Sequence, residues 1–171
     1  MKSDNQIINI ALVEDNAVNR NTFIQKINQF SDVQLLFTSN SGHEFLEKIK
    51  GLPLQHLPLV VFMDIEMPDL NGIETIRLAM SIHESMHFII LTVFEDDDNI
   101  FEAIQAGASG YLLKHESFQT LYNSLFEVLK FGGAPMSPAI ARKTLKLLGQ
   151  QPKPDKQNNT ALIENLLSER E

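Results

Sequence analysis

Five short apolar runs, separated by amphipathic segments, constrain the fold of this chain more than any other feature. They recur at intervals of about 25 residues, at Ile7–Val13, Val33–Phe37, Leu57–Met63, Phe88–Leu91 and Gly110–Leu113. The runs are rich in Ile, Val and Leu and lack alternating polar residues, as is typical of parallel strands buried on both faces. The segments between them carry apolar residues at helical spacing. The pattern therefore predicts an α/β protein made of five β–α units, with helices on both faces of an open sheet.

The chain changes character after residue 131. Gly132-Gly133-Ala134-Pro135 ends the fifth predicted helix, and the pattern of residues 138–148 predicts one more short helix. Residues 150–159 include two prolines and no apolar residue, which is typical of a linker. A new amphipathic segment begins at residue 161. We therefore divide the chain into an α/β domain (1–131), a helix with a linker (132–160) and the start of a further domain (161–171).

Composition and charge exclude several classes of protein. The chain has 22 acidic and 14 basic residues, no cysteine, and a net charge of −8. An acidic body is a poor match for nucleic acid phosphates, and the lack of cysteine excludes disulfides and thiolate metal sites. The apolar stretch near the N-terminus is interrupted by Glu14-Asp15 too soon for a signal peptide or a membrane span. We therefore expect a soluble cytoplasmic protein that does not contact the membrane.

Polar side chains follow four of the predicted strands. Glu14 and Asp15 follow the first strand, Asp64 the third, Thr92 the fourth and Lys114 the fifth. Since the carboxyl ends of parallel strands meet at one edge of the sheet, where ligands bind, we expect these residues to converge. Clustered carboxylates favour Mg²⁺, a carboxylate can attack phosphorus, and a hydroxyl and an ammonium can hold a phosphoryl group. Any one of these residues alone also fits a helix cap or a solvated charge.

Four motifs together resemble the response-regulator receiver domain over about residues 7–130. The motifs are Glu14-Asp15, Asp64–Gly72, Ile90–Thr92 and Gly107–Lys114. Within them, Leu91-Thr92-Val93-Phe94 and Gly110-Tyr111-Leu112-Leu113-Lys114 resemble the NarL/FixJ branch of that family. The resemblance implies a flavodoxin-like, doubly wound sheet of five parallel strands in the order 2-1-3-4-5 with five helices, here extended by a C-terminal helix. In a receiver of this fold, the ligand binds at the carboxyl ends of the strands.

The resemblance also implies roles for individual residues. Asp64 would be the phospho-acceptor, with Thr92 and Lys114 contacting the phosphoryl group and Tyr111 acting as the switch aromatic. Mg²⁺ would be held by Glu14, Asp15, Asp64 and the backbone carbonyl of Glu66. Such a domain is a phosphoryl acceptor rather than an enzyme, with at most self-catalysed phosphorylation and dephosphorylation.

The implied partners are a sensor histidine kinase and, after phosphorylation, a second copy of the chain. Leu167-Ser168-Glu169-Arg170-Glu171 resembles the opening of a LuxR-type helix-turn-helix domain. The resemblance therefore implies a transcription regulator that contacts DNA only through an output domain mostly absent from this sequence.

Other classes remain as alternatives. A haloacid-dehalogenase-type phosphatase also uses a strand-end aspartate, and Asp64-Ile65-Glu66 imitates its D-x-D motif, but its acidic pair follows the lysine instead of preceding it. A passive flavodoxin-like binding module is a third class. The segment from His83 to His87 matches the H-E-x-x-H zinc pattern, yet a β-rich run follows at once, so we do not expect one helix to carry both histidines. We interpret Glu95–Asp98 as the acidic first turn of a helix.

Overall fold

A five-stranded parallel sheet forms the centre of the protein. The computed structural model describes residues 6–150. Its strands are β1 (Ile8–Val13), β2 (Val33–Ser39), β3 (Val60–Met63), β4 (His87–Thr92) and β5 (Gly110–Leu113). They lie in the order β2-β1-β3-β4-β5, and every neighbouring pair is parallel. The predicted flavodoxin-like topology is confirmed.

Helices follow the strands as the pattern predicted. They are α1 (Ala17–Ile27), α2 (Gly42–Lys50), α3 (Gly72–Ile82), α4 (Asp97–Ala106), α5 (Phe118–Phe131) and α6 (Pro138–Gln150), with a short 3-10 turn at Leu54–His56. Side-chain caps begin the first five helices, from Asn16, Ser41, Asn71, Asp96 and Ser117. Each accepts a hydrogen bond from a backbone N–H of the first turn, which fixes where the helix starts. Asp96 therefore caps α4, and Asp97 and Asp98 lie in its first turn, as expected.

Two apolar layers cover the sheet. On β1, Ala11 and Val13 face the layer formed with α2, α3 and α4, whereas Ile10 and Leu12 face α1 and α5. All four side chains are at most 2% exposed. Both faces are buried, which explains why the strands appear in the sequence as continuous apolar runs. The strand ends are left free to carry polar groups.

Two details differ from or refine the sequence-based expectation. The third strand begins at Val60 rather than Leu57, because Leu57 leaves the 3-10 turn and Pro58 has no N–H to donate to a ladder. The fourth strand begins at His87, while His83 terminates α3. The two histidines of the H-E-x-x-H pattern therefore lie on different elements, as expected.

The chain after α5 returns to the domain. The helix predicted over residues 138–148 is present as α6, which packs against α4. The predicted linker beyond Gln150 and the segment 161–171 lie outside the described residues. Within residues 6–150, no helix combines the length and the apolar character needed to cross a membrane.

Candidate functional site

The predicted site residues converge at the carboxyl edge of the sheet. Glu14, Asp15, Asp64, Glu66 and Lys114 line one open cavity of about 550 Å³. They come from the loops after β1, β3 and β5, three of the four strand ends that the sequence pattern selected. The side chains of Asp15 and Glu66 are exposed, whereas Glu14 and Asp64 are buried. The cavity therefore has charged walls and an open mouth.

Asp64 is held rigidly at the end of the central strand β3. The residue is 5% exposed, and Oδ1 accepts a hydrogen bond of 2.9 Å from the N–H of Ile65. Oδ2 accepts one of 3.0 Å from Nζ of Lys114. A Cβ atom at Gly72 would lie 1.9 Å from the backbone oxygen of Asp64, so only glycine permits α3 to start this close. The backbone of Asp64 is thereby fixed by the packing of α3.

Glu14 is the second buried carboxylate of the site. It is 2% exposed, and its Oε2 lies 2.6 Å from Nζ of Lys114. Its Oε1 accepts a hydrogen bond of 3.1 Å from the N–H of Asn16, and Arg20 donates one of 3.1 Å to its backbone carbonyl. Glu14 therefore has a fixed position and shares Lys114 with Asp64.

The burial of Asp64 beside Glu14 disfavours the ionised form of Asp64. Burial and the nearby charge of Glu14 raise the pKa of Asp64 from 3.8 to about 6, although Lys114 opposes the shift. Burial alone lowers the pKa of Lys114, but the hydrogen bond to Glu14 and the charge of Asp64 raise it above its ordinary value. One ammonium does not compensate two buried carboxylates. The site therefore favours an additional cation.

The donor set fits a divalent cation. Carboxylate oxygens of Glu14, Asp15 and Asp64 all lie within 4.8 Å of one another. Three carboxylates and one ammonium leave two negative charges in excess, which matches the charge of Mg²⁺. Oxygen ligands without histidine or thiolate are those that Mg²⁺ prefers.

Thr92 and Tyr111 lie beside the cavity and do not line it. Thr92 is completely buried at the end of β4, and its Oγ1 accepts a hydrogen bond of 3.3 Å from the N–H of Phe94. Tyr111 is 2% exposed and donates a hydrogen bond of 2.8 Å from its hydroxyl to the carbonyl of Phe94. Burial raises the pKa of Tyr111, so it stays a neutral donor. Because Phe94 itself lines the cavity, it links both residues to the site.

Sequence reasoning missed the residues that hold Glu14 and Tyr111 in place. Asn16 directly follows the acidic pair and is a preferred capping residue, so its role was detectable from the sequence. Arg20 lies one helical turn later. By contrast, residues 135–137 run beside Tyr111, and no sequence pattern indicates this contact.

The fold and the site together define a flavodoxin-like α/β domain with an acidic pocket at the carboxyl edge of its sheet. Residues 10–126 match the family model of the response regulator receiver domain. The chain therefore belongs to this family, as its motifs predicted.

Relatives of this chain include transcriptional regulators. The chain is 33% identical over 139 residues to the transcriptional regulatory protein LnrK of Bacillus subtilis, covering 81% of this chain and 61% of LnrK. It is 32% identical over 137 residues to the transcriptional regulatory protein UhpA of Escherichia coli, covering 80% of this chain and 66% of UhpA. The chain thus spans less than two thirds of the length of either relative.

A solved structure shares the fold. The crystal structure of a LuxR-family two-component response regulator from Aurantimonas sp. superimposes with a TM-score of 0.75 at 23% identity. The match covers 85% of this chain and all of that one. The comparisons agree with the predicted NarL/FixJ-type branch and give no support to the phosphatase alternative.

Proposed function

We propose that Asp64 accepts the phosphoryl group through which this receiver domain signals. One observation carries the proposal: Asp64 ends the central strand, fixed and 5% exposed, with the Lys114 ammonium 3.0 Å away and two further carboxylates beside it. A nucleophile, a counter-charge and a cation site therefore share one cavity.

The transfer proceeds by attack of a carboxylate oxygen of Asp64 on phosphorus. A P–O bond forms while the P–N bond to the phosphohistidine of a sensor kinase breaks, and the imidazole nitrogen keeps the electron pair and takes up a proton. Lys114 balances charge on the transferred group, and the hydroxyl of Thr92 donates a hydrogen bond to one of its oxygens. Glu14, Asp15, Asp64 and the backbone carbonyl of Glu66 would hold Mg²⁺. When bound, the ion neutralises charge on the phosphoryl oxygens.

The new contacts are large enough to drive a switch. Phosphorylation adds a charge of about −1.5 to −2. Each charge-assisted hydrogen bond, from Thr92 and from Lys114, contributes about 1.5–3 kcal/mol. Complete reversal of a 1:99 equilibrium needs about 5.5 kcal/mol. Two such contacts are therefore enough to reverse an equilibrium between two states of similar free energy. The change reaches Tyr111 because Tyr111 and Thr92 are both hydrogen-bonded to the backbone of Phe94.

The names of the relatives support the wider role that we propose. LnrK and UhpA are transcriptional regulatory proteins, and both are longer than the matched part. We place residues 1–131 as the receiver, 132–160 as helix and linker, and 161–171 as the start of a LuxR-type output domain through which DNA is bound. We place the domain in the cytoplasm, where phosphorylation by a sensor histidine kinase promotes a homodimer. Enzymatic activity is limited to self-catalysed phosphorylation and dephosphorylation.

Intact mass spectrometry after incubation with acetyl phosphate and Mg²⁺ tests the acceptor. Wild type and Asp69→Asn, which changes an exposed aspartate in the loop after β3, are expected to gain one phosphoryl group. Asp64→Asn, and wild type in chelator, are expected to gain none. Size-exclusion chromatography of the same samples reports dimerisation. An adduct that persists in Asp64→Asn would assign the acceptor to another residue, and rapid release of phosphate without an adduct would favour phosphatase chemistry.

A further inference from the structure

The segment between α5 and α6 extends the sheet beyond β5. Tyr111 donates a backbone hydrogen bond of 2.9 Å to the carbonyl of Pro135, and Ser137 returns one of 3.1 Å to the carbonyl of Tyr111. The Ser137 hydroxyl oxygen also accepts a bond of 3.0 Å from the N–H of Leu113. Met136 pairs with Tyr111 in the parallel direction. Residues 135–137 therefore cover the edge of β5 that would otherwise be unpaired.

Gly110 makes this approach possible. A Cβ atom at this position would lie 2.8 Å from both the backbone oxygen and Cγ of Pro135. Such distances are too short for atoms in contact, so any larger residue would push the segment away from β5. The sequence of β5 itself is therefore fitted to the chain segment that covers it.

The helix that follows is held on α4. Ile140 is completely buried and belongs to the core beneath α4, where Met136 and Leu147 pack against it. Lys143 donates a hydrogen bond to the backbone carbonyl of Glu95, and its Nζ lies 3.8 Å from the carboxylate of the same residue. Helix α6 is thus attached both to the core and to the loop between β4 and α4.

That loop is also the wall of the phosphorylation site. Phe94 lines the cavity, its N–H donates to Thr92 and its carbonyl accepts from Tyr111. The next residue, Glu95, holds Lys143. Tyr111 provides the second connection between this loop and the segment before α6, because its side chain binds the loop while its backbone binds residues 135 and 137. A movement of this loop therefore acts on α6 through two connections.

We propose that residues 135–150 form a latch that covers α4 and the edge of β5, and that a phosphoryl group on Asp64 weakens its attachment. This rests on the proposed function of Asp64. When Thr92 turns to donate to a phosphoryl oxygen, the N–H of Phe94 loses its acceptor and the loop 93–96 moves. Glu95 is then drawn away from Lys143, and Tyr111 loses its bond to Phe94. Release of the latch uncovers the α4 surface and the edge of β5.

Spin-label distances test the release directly. The chain has no cysteine, so Arg142→Cys on α6 and Arg77→Cys on α3, both at exposed positions, give one defined label pair. We expect one narrow distance distribution without ligand, and a shifted or broadened one with beryllofluoride and Mg²⁺, which together mimic the phosphorylated aspartate. Fluorine NMR of the same sample reports whether beryllofluoride is bound, and acetyl phosphate with mass spectrometry reports the adduct on Asp64.

The outcomes separate the latch from the function on which it rests. Bound beryllofluoride with an unchanged distance overturns the latch and leaves the proposed function intact. If neither beryllofluoride nor the phosphoryl adduct is found on Asp64, the proposed function fails and the latch fails with it. Bound beryllofluoride with a changed distance supports both.

Reciprocity supplies a second test. If the phosphoryl mimic weakens the latch by some factor, the closed latch weakens binding of the mimic by the same factor, so a variant with a weakened latch binds it more tightly. Lys143→Ala is therefore expected to raise the apparent affinity for beryllofluoride about two- to fivefold, the range set by a partly exposed ion pair. Lys146→Ala, an exposed lysine on the same helix, is the matched control and is expected to leave it unchanged. Equal affinities for the two variants would overturn the latch. Gly110→Ala, if it folds, is expected to act in the direction of Lys143→Ala.

Discussion

Asp64→Asn is expected to raise the free energy of unfolding at neutral pH, because it removes a buried charge that the folded state holds at a cost. The pKa of this carboxyl is raised from 3.8 to about 6 by burial and by Glu14, even with Lys114 in contact. A difference of that size corresponds to about 3 kcal/mol between the two protonation states. Asparagine has nearly the same shape and keeps an oxygen for Lys114, so most of this energy should be recovered.

The effect must depend on pH with a defined sign. Because the pKa of Asp64 is raised on folding, the folded state binds a proton more tightly than the unfolded chain. The wild type therefore loses stability as pH rises from about 4 to about 6, and it carries the full cost above that window. The gain from Asp64→Asn is about 3 kcal/mol at pH 7.5 and about 1 kcal/mol at pH 4.5.

Urea unfolding at these two pH values, in chelator, measures the difference. Asp69→Asn, which removes an exposed charge from the same loop, is expected to change stability by less than about 0.5 kcal/mol at either pH. The reasoning is refuted if Asp64→Asn is less stable than wild type at pH 7.5, or if its gain is the same at both pH values.

Three further perturbations give separate checks. Gly72→Ala places a Cβ against the backbone of Asp64 and should cost about 3 kcal/mol in urea unfolding, whereas Gly149→Ala, with open space around it, should cost nothing. An unaffected Gly72→Ala would contradict the close approach of α3. Mg²⁺ at ten times its Kd should raise the free energy of unfolding of wild type by about 1.4 kcal/mol, and Asp15→Asn should require more of the ion for the same gain in a thermal or urea titration. No response to Mg²⁺ in wild type would argue against the carboxylate site. Tyr111→Phe removes the hydrogen bond to the loop at Phe94 and should cost about 1 kcal/mol, measured in the same way.

The topology and much of the site could be predicted because both depend on strand ends. A buried parallel strand appears as a continuous apolar run, and the first polar residue after it marks the carboxyl edge. This rule located Asp64 and Lys114, which are 50 residues apart in sequence, although Nζ of Lys114 lies 3.0 Å from Oδ2 of Asp64. Their proposed roles as acceptor and counter-charge came from the family resemblance, because the spacing fixes position and not chemistry.

The attachment of α6 could not be predicted, because it depends on single contacts that leave no periodic pattern in the sequence. The helix itself follows from the apolar spacing of residues 138–148. Its site of packing depends on the absence of a side chain at Gly110 and on one lysine, Lys143, reaching a backbone carbonyl. Neither a glycine in a strand nor a lysine on a helix indicates its partner, so only the folded structure shows the contact.

In the proposed function, the arrangement of Lys114 and Thr92 couples metal binding to switching. Lys114 is already shared by Glu14 and Asp64, so a phosphoryl group that draws it away leaves Glu14 as a buried carboxylate without its counter-charge. Such a loss is strongly destabilising unless a cation replaces the ammonium. Thr92, by contrast, uses its oxygen as an acceptor for Phe94, and this bond does not engage the hydroxyl hydrogen. The chain can therefore offer this donor at the cost of the single bond from Phe94, but it can offer its ammonium only when a divalent cation holds Glu14.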